Sequence, residues 1–310
     1  MINDNSCLMY QFCIFIFVIF FPRTMLAQST LPDVVAAFGI IHDQPQAFHI
    51  TSHHIKPPHG GHFQGIERLS DSLFIVTASS AGYSYYLTAS SDFKTHGSVV
   101  SLHKITNAPF RHAGGCQVYG HTMIVGVEDN HAKDKSDIIM VSFNSAGYQT
   151  AQYTMAHRSG VVKRSTAGAV GFARLANGRY MVAVGDWDSR AIDLYLSHTG
   201  SDTMFDLLAT FSVPDRDRWV SYQNLNLLTD SSGRLYLIAM GLDRLNDRAD
   251  LYELNVSPHQ ADMRLLSSRN FKCRGGAGFR YASGIGINPD GKLIIYSWGM
   301  HLNSMVNIFQ

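Results

Sequence analysis

The sequence predicts an all-β fold assembled from five copies of one four-stranded unit. Three observations predict it. The stretch His62, Phe63, Gln64, Gly65, Ile66, Glu67, Arg68, Leu69 leads into the apolar run Leu73, Phe74, Ile75, Val76, and versions of that pairing begin again at His112, Thr166, Ser221 and Tyr281. A period of roughly 50 to 60 residues is that of a supersecondary unit stacked as a solenoid, an array or a propeller. Charged residues are only 16% of the chain, below the roughly 25% of an average domain, and no stretch sustains an apolar period of the helical kind.

Residues 1–27 stand apart from the repeats. Residues 7–21 are almost continuously apolar, Pro22 and Arg23 end the run, and Met25, Leu26 and Ala27 precede the polar Gln28, Ser29 and Thr30. That is the pattern of a secretory signal peptide cleaved after Ala27, although Asn3, Asp4 and Asn5 stand where positive charge is usual. The run falls short of the roughly 20 apolar residues of a spanning helix. The expectation is a secreted or periplasmic protein with no stable membrane span after cleavage, an N-terminal anchor being the competing reading. Cys7 and Cys13 leave with the signal. Cys116 and Cys273 fall in different repeats and are expected as separate thiols, although an oxidising compartment permits a bridge.

Residues 28–46 read as a polar lead and 47–310 as a single domain. The segment 47–55 alternates in polarity and carries β-branched residues, which makes it a strand isolated ahead of the repeats. Repeat one supplies strands at 65–69, 73–78, 83–88 and 98–105, and repeat two at 115–118, 122–127, 137–143 and 149–155. Repeat three gives 169–175, 180–184, 192–196 and 205–213, and repeat four 224–228, 235–239, 251–256 and 263–271. Gly, Ser and Asp mark the turns between them. Repeat five has 284–287, 293–298 and 306–309 and lacks a fourth strand. Pairing 47–55 beside 306–309 would close the ring and remove both free edges, which otherwise invite aggregation.

Four short strands per repeat, five repeats and closure by the N-terminal strand resemble the five-bladed β-propeller superfamily, whose members include lectins, glycoside hydrolases and calcium-dependent nucleotidases. The resemblance covers residues 47–310 and is architectural; no catalytic motif of those families matches this chain. It implies four-stranded antiparallel blades around a channel lined by the first strand of each blade. It also implies that the connection into that strand and the loop between the second and third strands share one face.

The unusual residues fall on that face. Trp187, Trp219 and Trp298 are either a stacking surface for a ligand or wedges between blades. Glu128 and Asp129, with Asp186 and Asp188 at the matching point of the next repeat, read as hard-cation ligands or an acid/base pair, or as turn chemistry. His62 and His112 occupy one repeat position and His59 lies just ahead of them. Imidazoles converging there could hold a transition metal or shuttle protons. Deeper in the channel, Glu67, Gln117 and Asn226 are ligand-facing groups or a polar lining that satisfies itself. Only Glu67 is acidic at that depth, which counts against glycoside hydrolysis by a pair of inner-strand carboxylates.

A formal charge of +1 with no basic cluster excludes a nucleic-acid footprint. Nucleophile-elbow, zinc-protease, phosphate-loop and dinucleotide motifs are absent from the sequence. The function expected is binding of a carbohydrate or another small extracellular ligand at the channel mouth, through His62, His112, Gln117, Trp187, Trp219, Asn226 and Trp298. The first alternative is a hydrolase on the same face, metal-assisted or dependent on carboxylates and His, drawing on Glu67, Glu128, Asp129, Asp186 or Asp188 beside His62 and His112. The second is a protein-interaction scaffold. The sequence requires no cofactor, while His59, His62 and His112 are compatible with a divalent metal.

Overall fold

The structure, a computed structural model, describes residues 30–212, 219–257 and 260–310. The signal peptide read at 1–27 lies outside the described residues. Strand β1 (Gln46–Thr51) precedes an antiparallel meander of β2 (Phe63–Ser70), β3 (Leu73–Ala78), β4 (Tyr83–Ser91) and β5 (His96–Asn107). A second meander holds β6 (His112–Tyr119), β7 (Thr122–Glu128), β8 (Lys135–Phe143) and β9 (Gln149–Ser159). A third holds β10 (Ala169–Arg174), β11 (Tyr180–Gly185), β12 (Ala191–Ser197) and β13 (Phe205–Ser212). The fourth is β14 (Ser221–Thr229), β15 (Leu235–Asp243), β16 (Asn246–Ser257) and β17 (Gln260–Phe271). Last come β18 (Ser283–Ile287), β19 (Leu293–Ser297) and β20 (Met305–Phe309), with β1 antiparallel beside β20 and Phe48 opposite Val306.

Burial follows position in the meander. The second strands β3, β7, β11 and β15 are buried along nearly their whole length, so their sequences read as continuous apolar runs, as strands covered on both faces do. The outer strand β9 is largely exposed. Its sequence is correspondingly polar.

Sheet continuity departs from the repeat. Hydrogen bonding joins β1, β20, β19, β18 and β2–β5 into one closed eight-stranded sheet and β6–β13 into a second eight-stranded sheet, leaving β14–β17 as a four-stranded one. Three parallel pairings cause the fusion. β1 also pairs parallel with β5, His49 lying opposite His96. Neighbouring inner strands bridge parallel at Ser283 with Gly65 and at Ala169 with Gly115. Glycine permits that approach: a Cβ on Gly284 would fall on the Ile66 carbonyl oxygen, and one on Gly114 would fall on the Gly168 carbonyl oxygen.

The polar lead is not structureless. Asp33 caps a helix, α1 (Val34–Ile40), by accepting from the Ala36 amide at 2.9 Å. Val34 and Phe38, four residues apart, present one buried face. Both join the cluster containing Tyr236, Ile238, Phe271, Phe279, Ile295 and Phe309. The Arg269 guanidinium donates to the carbonyls of Phe38 and Gly39 at 2.6 and 3.0 Å and to that of Ile41, supplying partners and positive charge where a helix end needs both. Among the described residues no helix is long and apolar enough to cross a membrane. Cys116 and Cys273 are free thiols.

Candidate functional site

The repeat builds the site. Its first position is His62, His112, Thr166, Ser221 and Tyr281, at or just before the start of each inner strand, and its third is Gln64, Gly114, Gly168, Gln223 and Ser283. Side chains two apart on a strand share a face, so these residues project together at the channel mouth. There a cavity of about 520 Å³ is lined by His62, Gln64, His112, Gly168, Ser221, Gln223 and Tyr281. The loops from second to third strands add Glu128, Asn130, Asp186, Trp187, Asp188 and Leu242, and Arg280 and Met300 complete the wall. All five repeats contribute. The volume lies in the range of small-molecule sites.

A polar chain crosses the first two repeats. Gln64, 2% exposed, donates its amide to His62 Nδ1 at 2.8 Å and to His112 Nε2 at 2.9 Å. Accepting at Nε2 leaves the His112 proton on Nδ1, which faces Glu128 Oε1 at 3.2 Å. The other Glu128 oxygen accepts from the Ala167 amide at 2.8 Å. Gln64 Oε1 is buried without a partner. Burial pushes the His62 imidazole below its ordinary value of 6.5, and the adjacent His112, His301 and Arg280 push the same way against the Phe63 carbonyl.

The third repeat contributes a strained turn. Asp188 and Ser189, in a 3-10 turn spanning Trp187–Ser189, have φ of 65° and 50°, a left-handed region costing about 1–2 kcal/mol per residue without glycine. Contacts on every side hold it. Trp187 N donates to Lys163 O at 3.2 Å, Ser189 N to Asp186 O at 2.8 Å, Ser189 Oγ to Tyr222 O at 3.0 Å, and Ser221 Oγ to Asp188 Oδ1 at 2.6 Å. Strain fixed in this way concentrates at ligand-handling sites. Lys133 Nζ sits 3.9 Å from the centroid of the half-buried Trp187 ring and fixes its plane. Asp186 accepts from Ala191 N at 2.8 Å, yet burial lifts its carboxyl above the usual 3.8 against that bond and the charges of Arg164 and Arg158.

The segment between β9 and β10 is held from below. Asp193, 3% exposed, receives Arg158 Nη2 at 2.8 Å, both Arg164 terminal nitrogens at 2.5 and 2.7 Å, and Thr210 Oγ1 at 2.6 Å. Arg158 also donates to the carbonyls of Thr166 and Arg164. The same segment supplies the Ala167 amide to Glu128 and the Lys163 carbonyl to Trp187.

Of the residues expected at the site, His62, His112, Glu128, Asp186, Trp187 and Asp188 line the cavity. Glu67, Gln117 and Asn226 do not; they tie the inner strands together beneath it. Gln117 donates to Leu227 O at 2.8 Å and accepts from Phe172 N at 2.6 Å and Leu227 N at 2.7 Å. Asn226 donates to Glu67 at 2.8 Å, and Glu67 also accepts from Ile285 N at 2.9 Å and Val118 N at 3.5 Å. Trp298 is wholly buried against Phe63, ring centroids 5.0 Å apart, its indole donating to Ser304 O at 3.1 Å. Trp219 packs on Tyr222 and Tyr252 instead of lining the cavity. Asp129 accepts from the amides of His131 and Ala132, both at 3.1 Å, as a turn residue does. His59 is exposed and apart from His62 and His112, and among the described residues no group of three His, Cys, Asp or Glu could hold a metal. Gln64, Gln223, Tyr281, Arg280 and Met300 were missed. For the first three the repeat alignment was itself the signal.

Glu67 carries a pH prediction. Burial raises its carboxyl well above 4.5 against the three donors it accepts from. The folded chain therefore holds a proton that the unfolded chain releases, and this contribution is complete below the unfolded pKa and lost as pH rises toward the folded one. Glu67→Gln should remove that decline. Urea midpoints measured from acidic to neutral pH should separate in the variant's favour as pH rises; a constant separation would show that Glu67 ionises normally.

No family model matches the sequence, and no curated protein does either. Solved structures do resemble the chain. An exo-β-1,3-galactanase from Phanerochaete chrysosporium in complex with β-1,3-galactotriose superposes with TM-score 0.50 at 8% identity over 86% of this chain and 63% of that one. The exo-β-1,3-galactanase of Clostridium thermocellum gives TM-score 0.50 at 13% identity over 87% and 62%. The ring is a β-propeller. The β-fructofuranosidase of Bombyx mori aligns with TM-score 0.49 and 14% identity over 89% and 64%. This propeller thus spans less than two thirds of the length of each of these enzymes.

Proposed function

We propose that the protein is a secreted, five-bladed β-propeller that binds a carbohydrate in the cavity at its channel mouth. One observation carries this: all five repeats place unlike groups around one cavity, with Trp187 and Tyr281 among carboxylates, three amides and two imidazoles. A sugar presents a C–H face to an aromatic ring and a rim of hydroxyls that both donate and accept. Glu128, Asp186 and Asp188 accept, Gln64 offers its unpartnered carbonyl oxygen, Gln223 can do both, and the rings supply the apolar face. A propeller neighbour solved with bound β-1,3-galactotriose supports the class of ligand.

Five blades are proposed from the five meanders, the fused sheets being neighbouring blades bridged at glycine and at β1. Export is proposed from the apolar run at 7–21.

The test is a glycan array followed by calorimetric titration. Trp187→Ala should weaken binding roughly tenfold through loss of the aromatic face, with little change in melting; unchanged affinity would remove Trp187 from the site. Hydrolysis is a second reading, favoured by one group. Asp186, with its raised carboxyl, has the character of a general acid in a cavity that also holds the His112–Glu128 pair. If it holds, native protein should cleave aryl glycosides and Asp186→Asn should lose turnover while retaining binding.

A further inference from the structure

The cavity is divided by charge. Its three carboxylates come from the second and third repeats and are each engaged: Glu128 with Ala167 N and His112, Asp186 with Ala191 N, and Asp188 with Ser221. The opposite wall holds Arg280 and Tyr281, with His62 next to them. Among the described residues the Arg280 guanidinium has no hydrogen-bond or ion-pair partner. Arg158 and Arg164 share the single carboxylate of Asp193, and Arg248 pairs with Asp243 and Asp250.

Arg280 is also held in place by its neighbours. Phe279, fully buried, packs on Phe271 and Phe309, and its amide donates to Asp247 at 2.6 Å. The Tyr281 amide closes the turn onto Gly278 O at 3.0 Å. The backbone on both sides of Arg280 is therefore fixed, and its exposed guanidinium, a five-donor fork, stands at the wall of the cavity without a partner among the described residues. His62, His112 and His301 add no negative charge on that side.

Resting on the saccharide assignment above, we infer that the ligand is an acidic sugar, a uronate-bearing glycan whose carboxylate is received by Arg280 while its neutral hydroxyls face Glu128, Asp186 and Asp188. A guanidinium fork matches a planar carboxylate with two parallel bonds. Three carboxylates in the same cavity oppose a more highly charged group, so a single negative charge at one end of the ligand is the complementary distribution.

Oligomers of glucuronate, galacturonate and mannuronate, each titrated against its carboxyl-reduced neutral counterpart, test this. At least one acidic oligomer should bind about tenfold or more tightly than its reduced form at low ionic strength, the advantage shrinking as salt is added. Arg280→Met should abolish that advantage, the acidic and reduced forms then binding with equal affinity. Equal affinity for every acidic and reduced pair in the native protein would overturn the inference, as would an advantage that survives in Arg280→Met. If no oligomer of either kind binds and the glycan array is also blank, the saccharide assignment itself fails.

Discussion

Replacing Gln117 with alanine should lower the stability of the ring by about 4–6 kcal/mol. One side chain satisfies Phe172 N, Leu227 N and Leu227 O where no water reaches. Each orphaned buried group costs about 1–3 kcal/mol, and the vacated volume adds a cavity. A domain of this kind has only about 5–15 kcal/mol in all. Gln152→Ala is the control, since Gln152 on the outer strand β9 makes one bond, to Ile105 O at 3.1 Å, and its loss should cost about 1 kcal/mol. Urea denaturation of the two variants measures the contrast. Equal midpoints would mean that the inner strands hold together without the Gln117 tie. Protein that does fold should keep its native ligand affinity, because Gln117 is not part of the cavity wall.

Asp193→Asn should be nearly as costly and should differ in its functional signature. The substitution would leave the buried Arg158 and the half-buried Arg164 facing a neutral amide, and breaking a buried ion pair from one side costs about 3–5 kcal/mol. Burial alone would raise the Asp193 carboxyl, but the bonds from Arg164 and Thr210 and the charges of Arg158 and Arg164 outweigh it and hold it below 3.8. Its stabilisation is therefore present above the ordinary carboxylate range and lost as pH falls through the lower folded value. The variant should lose that acid-side dependence, which stability measured from neutral to acidic pH would show. Because Arg158 and Arg164 steady the segment that grips Glu128 and Trp187, ligand affinity should fall with stability, unlike in Gln117→Ala. Native affinity in folded Asp193→Asn would show that the segment is held by its own backbone.

Much of the ring was legible because its second strands are apolar throughout. The run from Leu73 reads as a strand over the same residues that β3 occupies, and the unpaired segment at 47–55 overlaps β1 over residues 47–51, seated beside β20. The helix at Val34–Ile40 escaped since seven residues give too few turns for a periodic signal; Asp33 and the spacing of Val34 and Phe38 were its only marks. Trp298 was assigned to the ligand face because a strand buried on both sides carries no alternation to show which way its end turns. At the site, the scarcity of Trp drew attention to Trp187 and a shared repeat position to His62 and His112, and all three line the cavity. Gln64 and Tyr281 are ordinary residues whose place is set by the repeat register, and Arg280 is marked only by what it lacks. That information appears when three-dimensional neighbours are known.

The double pairing of β1 has a consequence for how the chain reaches this state. Its contacts with β5 can form early, since both belong to the first third of the sequence. Its other edge waits for β20, the last strand of the ring, so closure is the most nonlocal step within it and carries the entropy of nearly the whole intervening chain. Until then the edges of β1 and of β19 stand open. Those edges are exposed to strand exchange with other copies until β20 is in place, and the ring becomes a protected object only when it closes.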